Sequence, residues 1–238
     1  MWGSFLNVAA YRLIRGYNLI GPRSFCPHCT HKLSWYDTIP LLSFLLLKGR
    51  CRYCTYPISW LYPFIELLTA IIFTTLLVRI PSSYWLGYGI FFSALIITIR
   101  TDIETMLISR YVTLFLIPMG WLLAVFGLLP ISLMQSVYGT LLGYFFLFFI
   151  AKTYFLYAKQ EGMGQGDIEL LAFIGAFTGI FGCWATLIIA SVLGSCWAWV
   201  LMLYFKQGKK VKIPFGPFLA GGAILFVLFQ HYFLSFLT

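Results

Sequence analysis

Charge is what this 238-residue chain has least of: charged residues make up 10% of it, against 61% hydrophobic and 20% aromatic. That balance excludes a soluble globular protein and describes a polytopic membrane protein. No removable signal peptide is expected, because no basic segment precedes the first apolar residues in Met1-Trp2-Gly3-Ser4-Phe5. There is no dinucleotide-type glycine fingerprint either, since the glycine-rich stretch Gly162–Asp167 follows no soluble strand. A net charge of +9 would suggest nucleic acid in a soluble protein. Here the basic residues follow membrane topology instead, and no nucleic-acid partner is expected.

A crossing of the bilayer takes about 20 helical residues. Seven apolar runs qualify, at roughly 60–79, 84–100, 111–129, 132–151, 168–182, 183–205 and 214–236. Residues 1–14 are apolar but short, and read as a truncated or short first membrane helix. The expected fold is therefore an all-α polytopic membrane protein with about seven to eight transmembrane helices. Span 168–182 is also short, and Gly175 and Gly179 within it suggest close helix packing. With residues 15–59 in the cytoplasm and the spans alternating, fifteen of the sixteen Lys and Arg residues fall inside and only Arg79 outside. Such an asymmetry places loops 15–59, 100–110 and 158–167 in the cytoplasm.

The first loop, 15–59, contains two CxxC pairs, Cys26-Pro27-His28-Cys29 and Cys51-Arg52-Tyr53-Cys54. Two such knuckles complete a tetrahedral four-sulfur site, and a reducing compartment keeps the thiols free for metal. Zinc is expected, in a structural role because all four positions are filled. His28 and His31 are then not needed as ligands. Between the knuckles the apolar run Leu33–Lys48 is too short to span and is expected against the membrane surface or the helical bundle. Cys183 and Cys196 fall in spans and read as packing residues.

Two acidic sites remain. Asp167 ends the glycine-rich loop Gly162-Met163-Gly164-Gln165-Gly166 and reads as the N-cap of the next helix, with Gly164 and Gly166 leaving room for close approach. Asp102 lies at the cytoplasmic end of span 84–100, at a similar depth. A carboxylate at the mouth of a membrane helix is a functional-site candidate. Two together can share one proton, one activating water while the other protonates a carbonyl, which is the chemistry of aspartyl proteolysis. Alternatively, Asp102 is a solvated acid balancing Arg100 or Arg110. If the pair forms, helix ends favour Asp167 as the base and Asp102 as the resting acid. Glu66, in another span, is expected to pair with a loop arginine or to belong to a second site.

The chain resembles the type IV prepilin peptidases, membrane aspartyl proteases with a GxGD motif. The resemblance rests on Gly3–Val8 with Tyr11-Arg12-Leu13, the paired knuckles, Trp35 with Ile39–Ser43, Gly49–Arg52, Tyr62-Pro63, Glu66-Leu67, Asp102, Gly162–Asp167 and Ile213–Ala220. It implies that Asp102 and Asp167 are the catalytic dyad and that residues 60–238 form the protease domain. It also implies that the substrate is a prepilin or pseudopilin of a type IV pilus or type II secretion system. Its short basic leader would be cut after a glycine at the cytoplasmic face of the bacterial inner membrane. The new terminus, usually phenylalanine, would be N-methylated from S-adenosylmethionine, for which the sequence designates no binding residue. Rival readings are a GxGD membrane protease without methyl transfer and a zinc-binding membrane scaffold or transport component. The chain departs from the family where lysine is common and Glu169 stands, and where Ile-Pro-Asn or Ile-Pro-Asp is common and Ile108-Ser109-Arg110 stands. No oligomeric state follows.

Overall fold

A computed structural model describes residues 1–18, 21, 24–160, 162–205 and 213–237. The elements are α1 (Trp2–Arg15), α2 (Leu42–Leu46), α3 (Leu61–Arg79), α4 (Trp85–Thr105), α5 (Arg110–Val125), α6 (Leu133–Ala158), α7 (Gln165–Phe205) and α8 (Gly216–Leu237). Among the described residues the only extended pairings are two isolated bridges in the first loop. Four helical stretches among the described residues are long and apolar enough to cross a membrane: Leu61–Arg79, Ser82–Thr105, Leu133–Ala158 and Gln165–Leu203. Arg110–Val125 and Gly216–Gln230 are shorter apolar helices.

The helices outrun the apolar stretches where polar residues can sustain them. α4 continues to Thr105, because Arg100 pairs with Glu104 one turn further on. It closes at Met106, whose left-handed backbone donates its N–H to the Asp102 carbonyl at 2.9 Å. Asp102 thus lies inside the last turn of a helix. α6 likewise extends to Ala158. The two spans expected at 168–182 and 183–205 are one run of helix broken at Gly179, where φ is 69° and ψ is −169°. Positive φ is easy for glycine and strained for other residues, so this position sets the break.

The chain divides into two compact units, Met1–Thr75 and Leu76–Thr238. In the first, α1 lies close on α3: a Cβ on Gly3 would lie 3.0 Å from the Glu66 Cα. The Ser4 hydroxyl donates to Glu66 Oε1, the Leu41 N–H donates to Oε2 at 2.9 Å, and Asn7 donates to the Tyr62 carbonyl at 3.1 Å. Glu66 is therefore a polar clasp joining α1, α3 and the start of α2. The run Leu33–Lys48 folds as a 3₁₀ turn at Trp35–Thr38 followed by α2, with Trp35, Leu42, Leu45 and Leu46 exposed.

In the second unit α7 is central. Phe177 stacks on Phe91 of α4 with ring centroids 5.0 Å apart, and Phe173 packs tilted against the same ring at 5.4 Å. The backbones of α6 and α7 meet where Gly139 faces Gly175 and Gly143 faces Leu171, with no room for a Cβ at Gly139 or Gly175. Lipid tails are as apolar as leucine, so close backbone approach through small residues is a principal means of packing such helices. Beyond Gly179 the chain turns back. Gly194 lies beside Phe215 and Phe218 at the start of α8, and Gly216 shares the neighbour Ile108 with Gly166 at the start of α7. Cys183 is buried, as expected. Cys196 is exposed, on an arm of α7 whose Trp197, Trp199, Met202 and Leu203 also face outward.

Candidate active site and metal centre

The two knuckles are copies of one local structure. In the first, the Cys26 N–H donates to the His31 carbonyl at 3.0 Å and the Thr30 N–H donates to the Cys26 carbonyl at 2.8 Å. In the second, 25 positions on, the Cys51 N–H donates to the Tyr56 carbonyl at 2.9 Å and the Thr55 N–H to the Cys51 carbonyl at 3.0 Å. Thr30 and Thr55 both have positive φ, and each hydroxyl donates to the preceding cysteine's carbonyl at 2.7 Å. The repeated Cys-x-x-Cys-Thr is the sequence signal for this. A short antiparallel bridge closes each knuckle, Phe25 with Lys32 and Arg50 with Pro57.

The four sulfurs of Cys26, Cys29, Cys51 and Cys54 lie within 4.8 Å of one another, and Cys26 Sγ is 3.9 Å from Cys54 Sγ. A zinc–sulfur bond of about 2.3 Å gives a tetrahedral edge of about 3.8 Å, so the cage fits zinc. At Cys54 the Tyr56 backbone hydrogen bond lowers the thiol pKa. Desolvation and side-chain hydrogen bonds with the other three cysteines outweigh it and push the pKa up to about 12. Metal binding must therefore expel protons. His28 stacks on Tyr56 with centroids 4.3 Å apart, and His31 packs against Tyr53 at 3.7 Å. Arg52 and Asp37, neither singled out in the sequence, form an ion pair at 2.8 Å that ties the second knuckle to the Trp35–Thr38 turn.

In the second unit the polypeptide brings together three helix ends. Asp102, buried, projects from the last turn of α4 and accepts the Gly216 N–H of α8 on Oδ2 at 3.0 Å. Asp167 lies in the first turn of α7, which begins two residues earlier, at Gln165. It is thus a first-turn residue rather than the N-cap expected from sequence, and its N–H donates to the Gly164 carbonyl at 3.2 Å. The end of α4 that carries Asp102 and the start of α7 that carries Asp167 meet around one side chain, Ile108. Asp102 faces the start of one helix and Asp167 lies in the start of another, so the helix-end asymmetry expected between them is largely offset.

Ile108 fills the space between. Its Cβ is 2.9 Å from where a Cβ on Gly166 would stand, and its Cδ1 is 3.1 Å from the same point on Gly216. Gly166 and Gly216 are therefore small for steric reasons. Gly164 is under less pressure, since a Cβ there would make an ordinary 3.5 Å contact with Asp167 Oδ2. The two arginines near Asp102 have acidic partners: Arg100 pairs with Glu104, and Arg110 pairs with Glu169 at 2.9 Å.

A family model described as Bacterial Peptidase A24 N-terminal domain matches residues 1–80, and one described as Type IV leader peptidase family matches residues 89–199. The chain belongs to the type IV leader peptidase family. The prepilin leader peptidase/N-methyltransferase of Aeromonas hydrophila is 34% identical over 247 residues, covering 92% of this chain and 84% of that protein. The protein of the same name from Bacillus subtilis (strain 168) is 35% identical over 236 residues, covering 98% and 92%. No solved structure matches the chain. Glu169 and Arg110, where the resemblance led to other residues being expected, are partners in space. Their separation of 59 residues leaves no local pattern from which the pairing could be read.

Proposed function

We propose that this chain is a membrane aspartyl endopeptidase that removes the leader of type IV prepilins or pseudopilins, using Asp102 and Asp167, and then N-methylates the new terminus. The observation that carries the proteolytic part is the convergence of the end of α4 bearing Asp102 with the start of α7 bearing Asp167 around Ile108 and Gly216 of α8. The relatives' names support both activities.

In an aspartyl dyad the two carboxylates hold one proton between them. The ionised member takes a proton from a water molecule, whose oxygen bonds to the scissile carbonyl carbon. The protonated member gives its proton to the carbonyl oxygen, forming a tetrahedral diol. Collapse then breaks the C–N bond, with a proton delivered to the departing amine. The Gly216 N–H, fixed on Asp102, holds that carboxylate in place through these transfers. Cleavage follows a glycine at the cytoplasmic face of the inner membrane, a side supported by the distribution of Lys and Arg. Counting the two arms of α7 separately gives seven spans after α1. Zinc, held by Cys26, Cys29, Cys51 and Cys54, stabilises the first-loop lobe and takes no part in these steps. S-adenosylmethionine is the methyl donor in this reading.

A prepilin with a Gly-Phe junction, incubated with purified protein in detergent, tests the proposal by gel shift and product mass. Loss of the leader with wild type and retention with Asp102→Asn or Asp167→Asn is expected. Equal cleavage by all three would reject the dyad, and zinc-loaded, folded protein with no cleavage would favour a scaffold or transport role.

A further inference from the structure

The most deeply buried carboxylate near the site takes no part in the chemistry above. Glu169, two residues after Asp167, is 2% exposed. An unpaired charge there would be strongly unfavourable. Its Oε1 receives Arg110 Nη2 at 2.9 Å, and its Oε2 lies 3.5 Å from the Thr113 hydroxyl. With both oxygens engaged by α5, Glu169 is poorly placed to act on a substrate. It is well placed to fix one helix against another.

What it fixes is the turn that carries Ile108. Arg110 is the first residue of α5, and only residues 106–109 separate α5 from the end of α4, where Asp102 sits. Ile108, two residues before Arg110, is wedged between Gly166 and Gly216, and Gly216 holds Asp102. A continuous path therefore runs from Glu169 through Arg110 and Ile108 to both ends of the carboxylate pair. We infer that Arg110 and Glu169 are a positioning pair that sets the 106–109 turn against α7 and α8 and so fixes the spacing of Asp102 and Asp167. The inference rests on reading those aspartates as the dyad.

The pair acts on geometry, so its loss reads in kcat. Displacements of about 1 Å at reacting groups lower rates by about 100-fold. Arg110→Glu sets two acids against each other and Glu169→Lys two bases. Each single variant is expected to lower kcat for prepilin cleavage by about 30- to 100-fold, with KM within about threefold. The double variant Arg110→Glu/Glu169→Lys restores the attraction and is expected to return kcat to within about fivefold of wild type. Zinc content and methylation of a pre-cleaved pilin should not move in any of them, whereas general misfolding would lower both. Glu169→Gln keeps the shape and removes the charge. It should lower kcat about tenfold with KM unchanged, and it answers the question if the swapped protein does not fold.

Wild-type kcat in Glu169→Gln, or a folded double variant no better than the singles, would overturn the inference and leave the dyad standing. Cleavage by Asp167→Asn at the wild-type rate would overturn the dyad, and this inference with it.

Discussion

Gly216→Ala would separate steric support of the proposed catalytic pair from folding. A Cβ at Gly216 would lie 2.6 Å from Asp102 Oδ2 and 3.2 Å from its Cγ, where ordinary contact begins at 3.4 Å. The Oδ2 oxygen must therefore move by about 0.8 Å, from 2.6 to 3.4 Å, and its 3.0 Å bond from the Gly216 N–H is disrupted. Ile108, 3.1 Å from the new methyl, blocks part of the escape. A displacement of that size at a reacting group lowers the rate about 100-fold, equivalent to about 2.7 kcal/mol. Cleavage of prepilin under saturating substrate should show that loss in kcat with KM nearly unchanged. Gly221→Ala supplies the control, because a Cβ there meets nothing within 4 Å on the same helix. It should cleave within about twofold of wild type. If Gly216→Ala retained kcat within about threefold, the bond from Gly216 would have no part in holding Asp102.

Replacing Cys26 and Cys29 by serine removes half of the sulfur cage and should abolish bound zinc, measured by atomic emission. Methylation should fall more than cleavage, and equal loss of both would indicate a general folding role for the knuckles. Because Cys54 without metal holds its proton up to about 12, zinc affinity should fall as pH falls, by about tenfold per pH unit for each thiol proton released; competition with a chromophoric chelator between pH 8 and 6 would measure it. Gly175→Val forces a branched side chain against the α6 backbone at Gly139. It should lower the thermal unfolding midpoint in detergent, with about 3 kcal/mol or more of destabilisation.

The apolar runs located the long helices, four of which, among the described residues, are long and apolar enough to cross a membrane, because bilayer thickness imposes a length that the sequence must display. Helix ends were less legible. Arg100 and Glu104 look like a polar loop in sequence, yet as an i,i+4 pair they carry α4 past Asp102. Gly175, Gly179 and Gly182 are equivalent on paper, and only backbone geometry singles out Gly179 as the break. The four-cysteine cluster was readable because both members of each CxxC are neighbours in the chain. Arg110 with Glu169, and Gly216 with Asp102, lie 59 and 114 residues apart. Such pairs are created by helix packing. One sequence carries no local trace of them.

The central claim is that Asp102 and Asp167 act as one proteolytic unit. Single-turnover cleavage of a Gly-Phe prepilin by wild type, Asp102→Asn, Asp167→Asn and the double variant tests it most directly, with methylation of a pre-cleaved pilin followed in parallel. The account predicts a loss of about 1,000-fold or more in either single variant, no further loss in the double, and methylation retained in all. Substantial cleavage by either single variant, or losses that multiply in the double, would contradict it.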